Sequence, residues 1–278
     1  HAGNMWIGTH YGGLRIFFKD GSVRSYTTAE GLAGDAVKSI IEDRRGDVWV
    51  AAYQGTGLSR FHAGKIENFG TRDGLPDDRV RNLLEDREGR LWVTTWDGLA
   101  VWDRPGSTSI RRIHGISSPR VITAVQDFQG SLWFGTVGGG LNRLVNGRFS
   151  AVDSRNGVVP DEVLSIFEDR DRSLWIGGGD GSLTRIRDRK ISILTQRDGL
   201  PNDNVKVVFE DSKGTLWIGT AAGTARLGPG GMQRMRSAPL GHAFITALGE
   251  DSQGAVWIGT LGFGACRVSG EAQTCYTT

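Results

Sequence analysis

A short segment built around one tryptophan recurs seven times along this chain. The clearest copy spans residues 214–220, and a Glu-Asp pair begins seven residues before its tryptophan. Successive tryptophans are 43, 43, 41, 42, 42 and 40 residues apart, at Trp6, Trp49, Trp92, Trp133, Trp175, Trp217 and Trp257. A period near 40 residues with four short extended runs per unit is typical of a β-propeller blade. The repeats therefore predict an all-β, seven-bladed β-propeller of four-stranded antiparallel blades.

Each repeat predicts four strands, named A to D in chain order. In the third repeat we expect strand A at 80–86, strand B at 91–95 and strand C at 98–102, and the second repeat shows strand D at 65–70. Clusters of Gly and Asp separate these runs, as turns require. Strands A and B are apolar on both faces, which is expected when neighbouring blades cover both faces of each sheet. The tryptophans therefore belong to the core.

The first repeat is incomplete, because residues 1–6 align with 212–217 and the residues of its strand A would precede them. We expect seven B strands but six A strands, so that the first blade lacks its inner strand in this chain. Either the ring leaves this strand unfilled, or the parent protein supplies it. The last repeat is complete, with strand A at 245–251 and strand D near 273–277. We predict one propeller domain over residues 1–278, as a fragment of a longer protein.

The acidic pair before each tryptophan is interpreted as structural. Glu-Asp occupies this place in five of the six repeats where it is visible, and Gln126-Asp127 replaces it once. Six recurrences around a ring do not describe a single active site. We expect these aspartates to accept hydrogen bonds from backbone amides of the turn between strands A and B. They are Asp43, Asp86, Asp127, Asp169, Asp211 and Asp251.

Composition and motifs exclude several classes of function. The net charge is +2, with 33 basic and 31 acidic residues and no Lys/Arg block, so we expect no nucleic-acid partner. No run approaches the roughly 18 apolar residues of a membrane span, so this segment is not expected to insert into a membrane. Phosphate-binding loops, nucleophile elbows and zinc-binding helices are missing. We expect no cofactor, no metal and no catalytic residue.

The repeat resembles the two-component regulator propeller repeat. The resemblance rests on Asp-Gly-Leu-Pro at 198–201, Glu-Asp at 210–211 and Leu-Trp-Ile-Gly-Thr at 216–220, and residues 73–92 repeat the pattern closely. It extends over essentially the whole chain, although some repeats lack the Asp-Gly-Leu-Pro loop. The resemblance implies a non-catalytic, periplasmic sensor propeller, as a domain of an inner-membrane signalling protein of the histidine kinase or diguanylate cyclase type. It implies a small molecule or oligosaccharide as ligand, and leaves self-association through the parent sensor open.

A second function class remains, that of a propeller enzyme. A lyase resembling virginiamycin B lyase also carries Gly-x-x-Trp strands, and it would need an acid and a base near the channel. His10 or His242 together with Asp35 or Glu162 would have to supply them.

The two cysteines are predicted to form a disulfide. If the last C–D hairpin turns between residues 270 and 271, residues whose numbers add to 541 face each other, which pairs Cys266 with Cys275. Directly opposed strand residues have Cβ atoms close enough for a bridge. Disulfides persist in oxidising compartments, in agreement with a periplasmic domain. The alternative is two reduced, separately buried thiols.

The predicted binding site lies at the end of the propeller that carries the B–C and D–A loops, because binding residues concentrate on loops held by a rigid scaffold. The B–C loops of blades 1, 2, 3 and 7 present Tyr11, Tyr53, Trp96 and Phe263. Blades 4, 5 and 6 have small residues there, namely Gly139, Gly179 and Ala221. Since blade 7 adjoins blade 1 in a closed ring, we predict one continuous arc of aromatic loops.

Polar residues beside this arc complete the predicted site. They are His10, Gln54, Asp97, Arg79, Arg120 and His242. Aromatic faces next to a few hydrogen-bonding groups suit a sugar ring or another amphipathic ligand. The arginines would also accept an anionic ligand. The alternative is that the aromatic side chains pack under their own loops.

Overall fold

The computed structural model describes residues 4–103, 110–152, 160–179, 181–188 and 190–276. It is a seven-bladed β-propeller whose antiparallel sheets have four strands each, except for a three-stranded first sheet. By its internal contacts the chain divides into two compact units, His1–Gln126 with Leu144–Phe149 and Asp127–Arg143 with Ser150–Thr278. That residues 1–278 form a single domain stays a prediction.

The strands follow the predicted order in every blade. Blade 1 contains β1 (Met5–Gly8), β2 (Leu14–Phe17) and β3 (Val23–Tyr26). Blade 2 contains β4 (Val37–Glu42), β5 (Val48–Ala52), β6 (Leu58–His62) and β7 (Lys65–Phe69). Blade 3 contains β8 (Val80–Glu85), β9 (Leu91–Thr95), β10 (Gly98–Trp102) and β11 (Ile110–Ile113). Blade 4 contains β12 (Val121–Gln126), β13 (Leu132–Thr136), β14 (Leu141–Val145) and β15 (Arg148–Val152).

The last three blades have the same arrangement. Blade 5 contains β16 (Val163–Glu168), β17 (Leu174–Gly178), β18 (Leu183–Arg187) and β19 (Lys190–Leu194). Blade 6 contains β20 (Val205–Glu210), β21 (Leu216–Thr220), β22 (Gly223–Gly228) and β23 (Gly231–Arg234). Blade 7 contains β24 (Ile245–Glu250), β25 (Val256–Thr260), β26 (Ala265–Ser269) and β27 (Ala272–Tyr276).

The predicted strand boundaries agree with these elements to within one residue at each end. Strands B and C of blade 3 match fully, and the strands predicted at 80–86, 65–70 and 245–251 each end one residue earlier. Residue 277, the predicted end of the last strand, lies outside the described residues, as do residues 1–3 of the first repeat. Among the described residues the first blade has three strands, which confirms the prediction of a first blade without its inner strand.

The core lies between adjacent sheets. In blades 2, 3, 5 and 6 all five residues of the B strand are buried, which confirms that both faces of these strands are covered. Trp49 of blade 2 packs against Trp102 of blade 3 with ring centroids 5.1 Å apart. In the second unit, Phe167 of blade 5 lies 6.4 Å from Phe209 of blade 6. Aromatic side chains thus supply much of the apolar area between blades.

The aspartate after strand A holds the tryptophan of strand B. In blade 6 the Trp217 Nε1 donates to Asp211 Oδ2 at 2.8 Å, and Asp211 Oδ1 accepts the backbone N–H groups of Lys213 and Thr215 at 3.0 and 2.9 Å. The predicted acceptance from turn amides is therefore confirmed, but the indole bond was not foreseen. The same indole bond, 2.7 to 2.9 Å long, joins Trp49–Asp43, Trp92–Asp86, Trp133–Asp127, Trp175–Asp169 and Trp257–Asp251.

The residue before each aspartate connects neighbouring blades. Glu210 of blade 6 accepts the backbone N–H of Arg170, in the A–B turn of blade 5, at 2.9 Å. Equivalent bonds of 2.7 to 3.1 Å join Arg44–Glu85, Arg87–Gln126, Phe128–Glu168 and Ser212–Glu250. Gln126 fits the pattern because an amide oxygen accepts this bond as a carboxylate does. The acidic pair therefore fixes the turn of its own blade and the turn of the preceding one.

An acidic residue followed by Gly-Leu, Asp-Gly-Leu in two loops and Glu-Gly-Leu in a third, builds the loop between strands D and A. Three such loops contain a single 3-10 turn, at Thr28–Glu30, Thr71–Asp73 and Gln196–Asp198. In the third, Asp198 accepts the backbone N–H of Thr195 at 2.9 Å, and Gly199 adopts a φ of 108° that favours glycine. Leu200 is then fully buried. The motif is thus a local capping device that anchors the loop to the core.

The last hairpin has the predicted register. Ser269 pairs with Ala272 across the turn, and Cys266 pairs with Cys275. The two sulfur atoms are bonded, and Cys266 is fully buried. The disulfide therefore joins β26 to β27, the outermost strand of blade 7.

Helical structure in the part of the chain that the structure describes consists of three single 3-10 turns. None of the helices among the described residues is long or apolar enough to cross a membrane.

Replacing Asp211 by alanine is expected to lower the free energy of unfolding by about 2–4 kcal/mol, because a buried indole N–H and two turn amides lose their acceptor. The change is measured by urea denaturation followed by circular dichroism. Asp171→Ala is the matched control, since the one side-chain interaction of Asp171 with another described residue is an exposed ion pair with Arg187. Equal stability of the two variants would contradict the structural role of Asp211.

Backbone amides of β1 are expected to exchange with solvent roughly tenfold or more faster than those of β5, because β1 pairs on one side only and β5 pairs on both. Hydrogen–deuterium exchange with peptide-level mass spectrometry measures both strands in one experiment. Equal protection of residues 5–8 and 48–52 would show that another element covers the free edge of β1.

Candidate functional site

The inner strands carry a bulge at their second residue. Strand A of blades 2, 3, 5, 6 and 7 has a register shift there, which leaves one residue out of the ladder. A bulge bends the strand and redirects the side chain of the extra residue. The residues at these bulges are Lys38, Arg81, Leu164, Lys206 and Thr246. Blades 2 and 3, which are neighbours in the first unit, both place a cation at this position.

Arg81 lies against two aromatic rings of the adjacent B–C loops. Its Cζ is 5.0 Å from the ring centroid of Tyr53 and 5.8 Å from that of Trp96. The two rings are edge to face, with centroids 6.1 Å apart and an interplanar angle of 81°. Lys38 Nζ lies 5.7 Å from the Tyr53 ring. Each distance is within the range of cation–π attraction.

Two further arginines border the Trp96 ring. Arg79 Cζ is 6.0 Å and Arg120 Cζ is 5.8 Å from its centroid. Arg79 also donates to both carboxylate oxygens of Asp77, at 2.9 and 2.6 Å, which fixes its guanidinium at the start of strand A. Trp96 itself is half-buried. The ring is therefore bordered by three guanidinium groups, one of which is neutralised by a carboxylate.

His10 extends the cluster into blade 1. Its Nδ1 is 3.4 Å from Lys38 Nζ, and its ring lies 4.2 Å from the Tyr11 ring. Burial and the Lys38 ammonium both lower the pKa of His10. Tyr11 is 68% exposed and leaves its outer face open to solvent. We call the eight residues His10, Tyr11, Lys38, Tyr53, Arg79, Arg81, Trp96 and Arg120 the basic aromatic cluster.

The electrostatics of this cluster favour binding of an anion. Burial, and secondly Arg81, lower the pKa of Lys38. Burial lowers the pKa of Arg81, and the Tyr53 hydroxyl opposes this shift only in part. Among the described residues, the guanidinium groups of Arg81 and Arg120 have no hydrogen bond or ion pair. Positive charges that repel one another beside apolar rings, without carboxylate partners, produce a strong local positive potential.

The structure brings six of the ten predicted ligand-binding residues together in this cluster. Gln54 and Asp97 are exposed in the same loops, and Asp97 lines a shallow depression with Pro76, Arg112 and His114. In the second unit the rings of His242 and Phe263 are 5.9 Å apart at 83°, and Phe263 is 44% exposed. The continuous arc through blade 7 stays a prediction, as does ligand binding by these residues.

Sequence reasoning missed Lys38 and Arg81. Both directly follow the first valine of strand A. A strand that is covered on both faces is not expected to carry a charged side chain at this position. The basic residue inside an otherwise apolar run was the available signal. It indicates a bulge, because only a residue shifted out of the ladder can turn such a side chain out of the core.

The carboxylates proposed for catalysis do not form an acid–base pair with a histidine. Asp35 accepts the backbone N–H and the hydroxyl of Thr28, at 2.7 and 3.2 Å, and so caps the loop between blades 1 and 2. No hydrogen bond joins Asp35 to His10, or Glu162 to His242, in the part of the chain that the structure describes. No group of three or more His, Cys, Asp or Glu residues there is arranged to hold a metal ion.

The repeats match a known protein family. The family model described as "Two component regulator propeller" matches residues 31–54, 74–97, 157–180, 199–222 and 239–262. Each match includes strands A and B of its blade, together with the Glu-Asp pair and the tryptophan. No curated protein matches the chain.

Solved structures share the fold at low sequence identity. The extracellular domain of the hybrid two-component system BT3049 from B. thetaiotaomicron has a TM-score of 0.81 and 22% identity, over 97% of this chain and 38% of that one. A streptogramin B lyase has a TM-score of 0.75 and 16% identity, over 93% and 87% of the two chains. Virginiamycin B lyase from Staphylococcus aureus has a TM-score of 0.71 and 16% identity, over 87% and 84%. At these identities the likeness establishes the fold.

Replacing Arg81 by glutamine is expected to raise the pKa of Lys38, because a repelling positive charge is removed while the burial of the ammonium is little changed. The titration is followed by NMR of the lysine side chains. Arg112→Gln is the control, since the Arg112 guanidinium donates to the carbonyl oxygen of Leu75 and lies outside the cluster. An unchanged Lys38 titration in Arg81→Gln would show that the two cations are farther apart in solution.

Proposed function

Since five segments of the chain match the two-component regulator propeller model, we propose that the chain is the extracytoplasmic sensing propeller of a bacterial signal-transduction protein. Its ligand is a small molecule or an oligosaccharide, bound at the end that carries the B–C and D–A loops. The observation that carries this proposal is the basic aromatic cluster. Two aromatic rings, held edge to face on a rigid sheet scaffold, offer faces on which a sugar ring can stack.

The contrast between the two ends of each blade supports this location. The A–B turns are occupied by hydrogen bonds of the Glu-Asp pairs, both within a blade and to its neighbour. The B–C loops of blades 2 and 3 instead expose Gln54 and Asp97 next to half-buried Tyr53 and Trp96. Polar donors and acceptors around an apolar face are the usual composition of a small-molecule site.

A periplasmic location agrees with the disulfide between Cys266 and Cys275, because disulfides persist in oxidising compartments. The parent protein is then an inner-membrane sensor, with a histidine kinase or a diguanylate cyclase as its output. This chain spans 38% of the BT3049 extracellular domain, so its output and its self-association belong to the proposal.

The lyase alternative rests on likeness of fold alone. The chain has only 16% sequence identity to streptogramin B lyase, although the two folds are similar. Asp35, one of the two candidate carboxylates for that alternative, accepts hydrogen bonds from Thr28. The geometry of the described residues therefore favours binding over turnover.

Trp96→Ala and Tyr53→Ala are expected to weaken ligand binding about tenfold or more, because each removes a ring from the centre of the site. Binding is measured by isothermal titration calorimetry against a panel of soluble neutral and acidic oligosaccharides derived from plant and animal polysaccharides. Phe128→Ala is the control, since Phe128 is a 53% exposed aromatic in an A–B turn.

Unchanged affinity of both variants for the oligosaccharide that binds the wild type would exclude the cluster as the site. Binding that is lost equally in Phe128→Ala would indicate a general loss of folding, which thermal denaturation of the three variants distinguishes.

A further inference from the structure

We propose that the ligand is an acidic saccharide, and that Arg81 and Lys38 bind its anionic group while Tyr53 and Trp96 contact its ring. This inference rests on the proposed function, because it assigns the chemical class of the ligand at the same site. The anionic group is a carboxylate or a sulfate ester, which present similar oxygen acceptors to a guanidinium.

The unpaired state of Arg81 is the first argument. Arg81 is half-buried, its Cζ lies 5.0 and 5.8 Å from the centroids of the Tyr53 and Trp96 rings, and its guanidinium has no acceptor among the described residues. A guanidinium carries five N–H donors, and partial burial reduces the hydration of those of Arg81 without a described protein acceptor to replace the lost water. Neighbouring cations add repulsion to this cost, because Lys38 lies on the adjacent blade. A bound anion would relieve both effects at once.

The way in which the cations are positioned is the second argument. Lys38 and Arg81 lie at equivalent bulges of adjacent inner strands, so the backbone and not a flexible loop sets their direction. Structural arginines of this chain behave differently. Arg90 pairs with Asp86 and Arg267 pairs with Asp251, at 2.6 and 2.8 Å. Arg81, set by a sheet strand and left without an acceptor among the described residues, is in the situation typical of a binding site rather than of a structural contact.

The rings select a saccharide among possible anions. Tyr53 and Trp96 both lie beside Arg81, so an anion bound to the guanidinium has two aromatic rings next to it, against which the rest of its molecule can pack. A uronate or a sulfated sugar carries its charge directly on such a ring. An inorganic anion would leave both rings uncovered.

The second unit provides a matched control position. Lys206 lies at the equivalent bulge of blade 6, and its Nζ is 5.1 Å from the Phe244 ring. It therefore has the same backbone setting and an aromatic neighbour, but no second bulge cation beside it, because blades 5 and 7 carry Leu164 and Thr246 there. Replacing Lys206 reproduces the loss of a bulge cation outside the proposed site.

The test compares wild type, Arg81→Gln, Lys38→Gln and Lys206→Gln by isothermal titration calorimetry. The probes are oligogalacturonate with its methyl ester, and a chondroitin sulfate disaccharide with its desulfated methyl ester. We expect wild type to bind at least one acidic probe about tenfold or more tightly than its neutral partner. Arg81→Gln should weaken that binding by a similar factor, Lys206→Gln should not, and added salt should weaken binding to wild type.

The outcomes separate this inference from the proposed function. Neutral probes that bind with dependence on Trp96 but not on Arg81 would overturn the acidic ligand and leave the sensing site standing. Wild type that binds none of the acidic or neutral saccharides would overturn both. Sodium sulfate that binds as tightly as the acidic saccharides would overturn the role of the rings. Thermal denaturation of each variant establishes that it is folded before titration.

Discussion

The hydrogen bond from the tryptophan indole to a buried aspartate is the interaction on which this propeller depends. It recurs in six blades at 2.7 to 2.9 Å, and it joins the first residue of the A–B turn to the tryptophan of the B strand. A buried carboxylate is stable only when its oxygens accept hydrogen bonds, and here the indole and the turn amides supply them. The preceding glutamate, or Gln126, then accepts an amide of the adjacent blade, so one dipeptide stabilises a blade and its junction with the next.

This arrangement separates the two ends of the blade. At one end the turns are short, and their amides are used to hold the structure together. At the other end the strand A bulge releases one side chain per inner strand from the ladder, and the B–C loop places its own side chain nearby. Variation at these two positions leaves the core unchanged. Blades 2 and 3 use them for Lys38, Tyr53, Arg81 and Trp96, and this combination of charge and aromatic surface carries the proposed binding function.

Much of the fold could be predicted from the sequence, because the signals repeat. The tryptophan period sets the number of blades, the turn residues set the strand limits, and the hairpin at 270–271 sets the pairing of Cys266 with Cys275. The site was predicted only in part. Tyr53 and Trp96 follow strand B at a fixed distance, so they could be placed, whereas Arg81 depends on a one-residue register shift that alternation of apolar residues does not reveal. Gln126 is the opposite case. It stands where the other repeats have glutamate, and it still accepts the backbone N–H of the neighbouring blade.

The A–B turns are assigned to structure and the B–C loops to binding. The most direct test of this assignment is hydrogen–deuterium exchange with and without the saccharide that titration identifies. Bound ligand protects the amides it contacts and those it makes more rigid. The account predicts that added protection is confined to the B–C loops around Tyr11, Tyr53 and Trp96 and to the start of β4 and β8, while the A–B turns at residues 43–47 and 86–90 are unchanged. Protection of those turns, with none in the B–C loops, would contradict the account and place binding at the opposite end.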